Sequence, residues 1–146
     1  MPVIALVKRE PSMLTSALPP VVVADPDPMY QREIVRLLCS DFRCLVTSAL
    51  AETYQAIWNV KPVLLSLELV FPDGDGLTLI QQMQADEALR QTLIACVTTR
   101  AAIKDKILAF RAGADDYFVK PLVPAMNYSG RMLLLRQTGH IARLAR

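Results

Sequence analysis

A single histidine, three cysteines and only five glycines stand among 146 residues, and each scarcity removes a class of chemistry. His140 lies far along the chain from Cys39, Cys44 and Cys96. Three thiols form neither an even disulfide framework nor a CxxC pair, so neither structural zinc nor a Cys/His nucleophile is implied. Cys39 and Cys96 sit inside apolar stretches, which suits buried, unreactive thiols. There is no glycine-rich phosphate loop after the first apolar run and no Ser/His pairing, so the chain does not read as an enzyme. No apolar run approaches the ~18 residues that span a bilayer, and the opening Met1–Val7 run lacks the basic start and small-residue cleavage site of a signal peptide. A cytoplasmic protein without membrane association is expected. Acid is also missing from one place. After Asp116 there is none, while Lys120, Arg131, Arg136, Arg143 and Arg146 remain. The net charge of the whole chain is only +2, and a few basic residues at a chain end are ordinarily solvated, which is weak support for nucleic-acid binding.

What is present is a globular composition, 53% hydrophobic and 21% charged, in a length suited to one domain. Residues 1–20, with Pro11, Pro19 and Pro20, read as an N-terminal extension of unassigned role, residues 21–137 as the domain, and 138–146 as a basic tail. Val21–Asp25 is a short β-branched run, and Asp27-Pro28 suits a helix N-cap with proline at the first helical position. Tyr30, Ile34, Leu37 and Leu38 form one apolar stripe, and Cys44–Thr47 reads as a second strand. Leu50, Tyr54, Ile57 and Trp58 stripe a second helix that stops near Lys61-Pro62. Val63–Glu68 is apolar on both faces and so buried on both. A turn-rich loop, Phe71–Gly76, leads to a short helix marked by Leu77, Ile80 and Met83, then to a fourth strand, Leu93–Thr98. Ile103, Ile107 and Phe110 stripe a fourth helix, Gly113 stops it, Tyr117–Val119 is a fifth strand, and Pro124 to about Gln137 a fifth helix.

Five strands alternating with five helices predict an α/β, doubly wound parallel sheet of flavodoxin-like order 2-1-3-4-5 with helices on both faces. In such sheets function gathers beyond the carboxyl ends of the strands, where the strand order reverses. Asp25, Glu68, Thr98 and Lys120 stand at four of those ends. Taken singly each reads as a turn or rim residue. Together they predict a pocket, because charges placed directly after buried strands need partners. Lys120 is expected to pair with Glu68 or Asp25.

These segments resemble the receiver domains of response regulators in two-component signalling, over about residues 20–137. The likeness rests on Val21–Pro28, on Leu67–Gly76 with its proline and Asp-Gly, and most specifically on Arg111–Pro121. It implies Thr98 as the residue that contacts a phosphoryl group, Lys120 as its bridging cation and Tyr117 as a switch aromatic. Two positions depart from the family pattern. Glu68 stands where the phospho-accepting aspartate belongs, and Pro26 replaces one of two magnesium-binding acids. Only Asp25 and Glu68 remain as metal candidates, so Mg2+ binding is expected to be weak or absent, since magnesium requires near-octahedral oxygen ligation. Asp27 is explained by its capping role. The resemblance thus implies a degenerate, pseudo-receiver module that acts by protein contact, with a histidine kinase or a downstream effector as partner. The alternatives are a phosphorylatable receiver in a phosphorelay and the regulatory part of a DNA-binding regulator whose effector lies elsewhere. The apolar circumference of Met126, Tyr128 and Met132–Leu135 predicts a homodimer through the fourth and fifth helices, or a helix buried more deeply than usual.

Overall fold

A computed structural model describes residues 18–122 of the chain. Seven strands and four helices follow one another in it: β1 (Pro20–Ala24), α1 (Pro28–Leu38), β2 (Arg43–Thr47), α2 (Leu50–Val60), β3 (Leu64–Leu67), β4 (Val70–Phe71), β5 (Gly74–Asp75), α3 (Gly76–Ala85), β6 (Leu93–Thr98), α4 (Ile103–Ala112) and β7 (Asp116–Val119). Most of the 1–20 extension, the helix expected over 124–137 and the 138–146 tail lie outside the described residues.

Five strands form one parallel sheet in the order β2-β1-β3-β6-β7. With the small β4–β5 hairpin set aside, that is the doubly wound 2-1-3-4-5 order expected from the alternation of elements. Side chains alternate across the strands and feed two cores. Val22, Ala24, Leu65, Leu67, Ile94 and Cys96 pack with α2 and α3, whereas Val21, Val23, Leu64, Ala95 and Val97 pack with Ile34, Val35 and Leu38 of α1. Burial on both faces is what makes β3 and β6 almost wholly apolar, with Ser66 and Thr98 as their polar residues.

Local signals act as the sequence suggests at the first helix. Asp27 caps α1 by accepting the Met29 N–H at 2.9 Å, with Pro28 at the first helical position. The second helix is capped from a distance. Ala49 at its N-cap has no polar side chain, and Asp73 of the β4–β5 turn accepts the Leu50 and Ala51 N–H groups at 2.9 and 3.2 Å. The loop over 71–76 is therefore a hairpin with a structural task. Gly76 opens α3 in close contact with the end of β3: a Cβ there would meet the Glu68 carbonyl at 2.8 Å and Leu69 Cα at 2.9 Å. That fixes the hairpin and α3 against the residues that follow β3, Glu68 and Leu69.

The stripe of Ile103, Ile107 and Phe110 falls on α4 as expected, but it is not the covered face: Ile103 is 75% exposed and Ile107, Leu108 and Phe110 are exposed with it. The buried residue of α4 is Ala109. A small side chain at the contact lets the helix axis lie close to its neighbours, and periodicity alone does not say which face is covered.

Candidate functional site

The topology reverses between β1 and β3, and the two acids stand there side by side. Ala24 and Leu67 are register partners, and the Glu68 N–H donates to the Ala24 carbonyl at 3.0 Å, so Asp25 and Glu68 leave adjacent strands at one level. β6 brings Thr98 to the same edge, and the Lys120 N–H donates to the Thr98 carbonyl at 2.8 Å, which places Lys120 beyond the end of β7. Asp25 is 1% and Glu68 3% exposed, and Thr98 is fully buried.

The Lys120 ammonium sits between the two carboxylates, 2.8 Å from Asp25 Oδ2 and 2.8 Å from Glu68 Oε1. Its approach to Glu68 has hydrogen-bond geometry. Toward Asp25 Oδ2 the distance is as short, and the two form a buried ion pair. Asp25 Oδ1 accepts the Asp27 N–H at 2.9 Å. Tyr30 of α1 lies beneath the same ammonium, 4.2 Å from Nζ to the ring centroid.

Glu68 folds back over its own following amides. Its Oε2 accepts from Leu69 N at 2.6 Å, Val70 N at 3.0 Å and the Thr98 hydroxyl. Its Oε1 accepts from Lys120 and from Thr99 N at 3.3 Å. Five donors thus converge on a group with about four lone-pair sites. Burial pushes the Glu68 carboxyl upward, but Lys120, Thr98 and the Val70 N–H outweigh it and hold the group below the usual range. Asp25 goes the other way: burial raises it more than Lys120 and the Asp27 N–H lower it. Burial alone would lower Lys120, and its two carboxylate partners hold it above its ordinary value.

Asp25, Glu68, Thr98 and Lys120 are therefore one connected cluster. Tyr117 is beside it rather than in it. The ring is buried, its hydroxyl donates to the Arg100 carbonyl at 2.9 Å, and burial pushes the phenol up to about 12. Cys96 is a buried thiol, also pushed up to about 12 by burial. Sequence reasoning missed Tyr30 and Arg100 as parts of the site. The first was absorbed into a helix stripe, and the second belongs to no motif, although Arg100 follows Thr98 by only two residues.

Residues 21–126 match the response regulator receiver domain family. The chain belongs to that family. Among curated relatives of this receiver, the phosphate regulon transcriptional regulatory protein PhoB of Pseudomonas aeruginosa is 28% identical over 82% of the chain and 52% of its own length. The transcriptional regulatory protein AruR of the same organism is 32% identical over 84% of the chain and 52% of its own length. The receiver thus spans about half the length of these relatives. Its fold is shared with a two-component response regulator from Clostridium difficile at a TM-score of 0.72, 23% identity, and coverage of 82% and 98% of the two chains. Among the described residues no helix is long and apolar enough to cross a membrane.

Receivers of the family pattern hold magnesium at this edge, and the residues present here do not fit that ion. Pro26 supplies no oxygen side chain, the ammonium of Lys120 stands between the two remaining carboxylates, and the lone pairs of Glu68 are taken by donors. Magnesium would need several of those oxygens freed at once. Among the described residues no three His, Cys, Asp or Glu side chains gather as a metal-holding group.

Proposed function

We propose that this receiver is a non-enzymatic signalling module of the cytoplasm that works without being phosphorylated and acts by contact with a protein partner, either a histidine kinase or a downstream effector. The observation that carries this reading is the saturation of Glu68. An acceptor oxygen must present a free lone pair in line with the phosphorus, and phosphoryl transfer relies on positioning and charge neutralisation rather than on covalent help from the protein. Here the oxygens of Glu68 face Lys120, Thr98 and three backbone N–H groups. Those are the kinds of donor that a phosphoryl group at this strand end would attract, so the carboxylate acts as a fixed internal anion in its place.

The test is intact-mass spectrometry after incubation with a small-molecule phosphodonor, with and without magnesium. Wild type is expected to gain nothing, and Glu68→Asp alone little. Pro26→Asp combined with Glu68→Asp is expected to regain metal-dependent labelling. Magnesium-dependent gain of one phosphoryl group at Glu68 in wild type would overturn the reading in favour of a phosphorylatable receiver.

The contact surface that fits this role is the outward face of α4, with Ile103, Ile107, Leu108 and Phe110 exposed beside Val119 of β7. Self-association through that face and the segment that follows is the partner arrangement we favour; sedimentation should show a dimer that Ile107→Glu dissociates. A second reading is supported by the relatives. Both are transcriptional regulators of about twice this chain's matched length, which suits a regulatory domain that governs a DNA-binding effector.

A further inference from the structure

Arg100 uses all three of its polar parts on three different elements. Its N–H donates to Thr98 Oγ1 at 3.2 Å, its carbonyl accepts the Tyr117 hydroxyl at 2.9 Å, and its guanidinium pairs with Asp75 Oδ1 at 3.1 Å. The same Asp75 oxygen caps α3 by accepting the Leu77 N–H at 2.9 Å. Tyr117 in turn meets Phe110 of α4, with ring centroids 6.4 Å apart.

The direction of these bonds follows from Glu68. A carboxylate has no proton to give, so the Thr98 hydroxyl must donate to Oε2 and leave its own lone pairs to accept the Arg100 N–H. A hydroxyl facing a neutral or displaced side chain would be free to turn. Arg100 thereby connects the charge state of the pocket to the ring of Tyr117 and, through Phe110, to the exposed face of α4.

We infer that the ion pair of Arg100 with Asp75 at the start of α3 is the anchor that holds the β6–α4 connection in the Tyr117-buried arrangement, which makes Arg100 a positioning residue for Tyr117. This rests on the reading of Glu68 as a permanent pocket anion. The anchor is weak by design of its surroundings: the two side chains are 25% and 42% exposed, and ion pairs in that setting shift an equilibrium by up to about fivefold. Its loss should move a population without unfolding the domain. The backbone bonds of Arg100 survive truncation of its side chain, so only the anchor is removed.

The test uses the full chain labelled at tyrosine Cζ, with Tyr117→Phe to assign the Tyr117 signal among the four tyrosines. In wild type that signal should not titrate below about pH 11, because the phenol is held near 12. In Arg100→Ala it should move toward the position of an exposed tyrosine and begin to titrate in the ordinary range near 10. Arg100→Lys should restore part of the wild-type signal. Asp75→Asn keeps the α3 cap but removes the charge, so it should act in the same direction, and the double variant should go no further than Arg100→Ala alone. A Tyr117 signal unchanged in Arg100→Ala, or effects of the two single variants that simply add, would overturn the coupling. Neither result depends on metal or phosphodonor. If wild type instead accepts a phosphoryl group while Arg100→Ala still releases Tyr117, the pseudo-receiver reading fails and the role of Arg100 stands.

Discussion

Tyr30 lies against Lys120, its ring centroid 4.2 Å from the ammonium, so the cation that faces Asp25 and Glu68 also rests on an aromatic face. The Lys120 side chain is 5% exposed. An ammonium so stripped of water is retained only where its surroundings replace hydration, and two carboxylates with a π face do that. The cluster as a whole holds two negative charges against one positive.

That imbalance separates two substitutions that look alike. Lys120→Met leaves two buried carboxylates without a cation and should lower the unfolding free energy by about 3–5 kcal/mol. Asp25→Asn removes the acid whose burial is least compensated and leaves the Lys120–Glu68 pair intact, so stability should be unchanged or higher. Urea melts at pH 7 read the difference. Equal destabilisation by both variants would sink the argument.

Stability against pH should show two opposing carboxylates. Glu68 is held below its ordinary 4.5, so its contribution is fully present above about that pH and is lost as pH falls through the lower folded value. Asp25 is raised above its ordinary 3.8, so it acts in the other sense, and stability is lost as pH rises through its folded value. Compared with wild type, Asp25→Asn should therefore gain stability more steeply as pH rises through the carboxylate range, and Glu68→Gln should gain less. Urea midpoints across this range are the measurement; three parallel curves would contradict the assignment. Lys120 is raised, so its contribution holds below about 10.5 and disappears as pH climbs through its folded value.

Asp73 should govern the start of a helix to which it does not belong. Asp73→Ala leaves the Leu50 and Ala51 N–H groups uncapped beside Ala49, and their hydrogen exchange should quicken while that of α3 is unchanged. Asp73→Asn should retain most of the protection, since an amide oxygen also accepts. The Leu50 and Ala51 N–H groups hold the Asp73 carboxyl below its usual range, so protection in wild type should weaken as pH falls below about 3.8. Unaltered exchange in Asp73→Ala would remove the capping role.

The alternation of apolar runs and amphipathic stripes determined the doubly wound sheet, because a parallel strand buried on both faces must be almost wholly apolar, as Leu64–Leu67 with its single Ser66 and Leu93–Val97 are. It also determined that Asp25, Glu68, Thr98 and Lys120 share one edge, since each is the first or last polar group at the carboxyl end of its strand. Tertiary structure alone decided the rest. Whether the stripe of α4 is covered depends on which neighbours lie against it, and Ala109, not Ile107, makes the contact. Two-residue strands carry too few positions for a periodic signal, so the β4–β5 hairpin and the reach of Asp73 to α2 were invisible. That Lys120 meets both acids and Tyr30, and that Arg100 joins Thr98, Tyr117 and Asp75, are facts of spatial approach between residues far apart along the chain. A sequence states which charges must be satisfied; only the folded geometry decides which partners satisfy them.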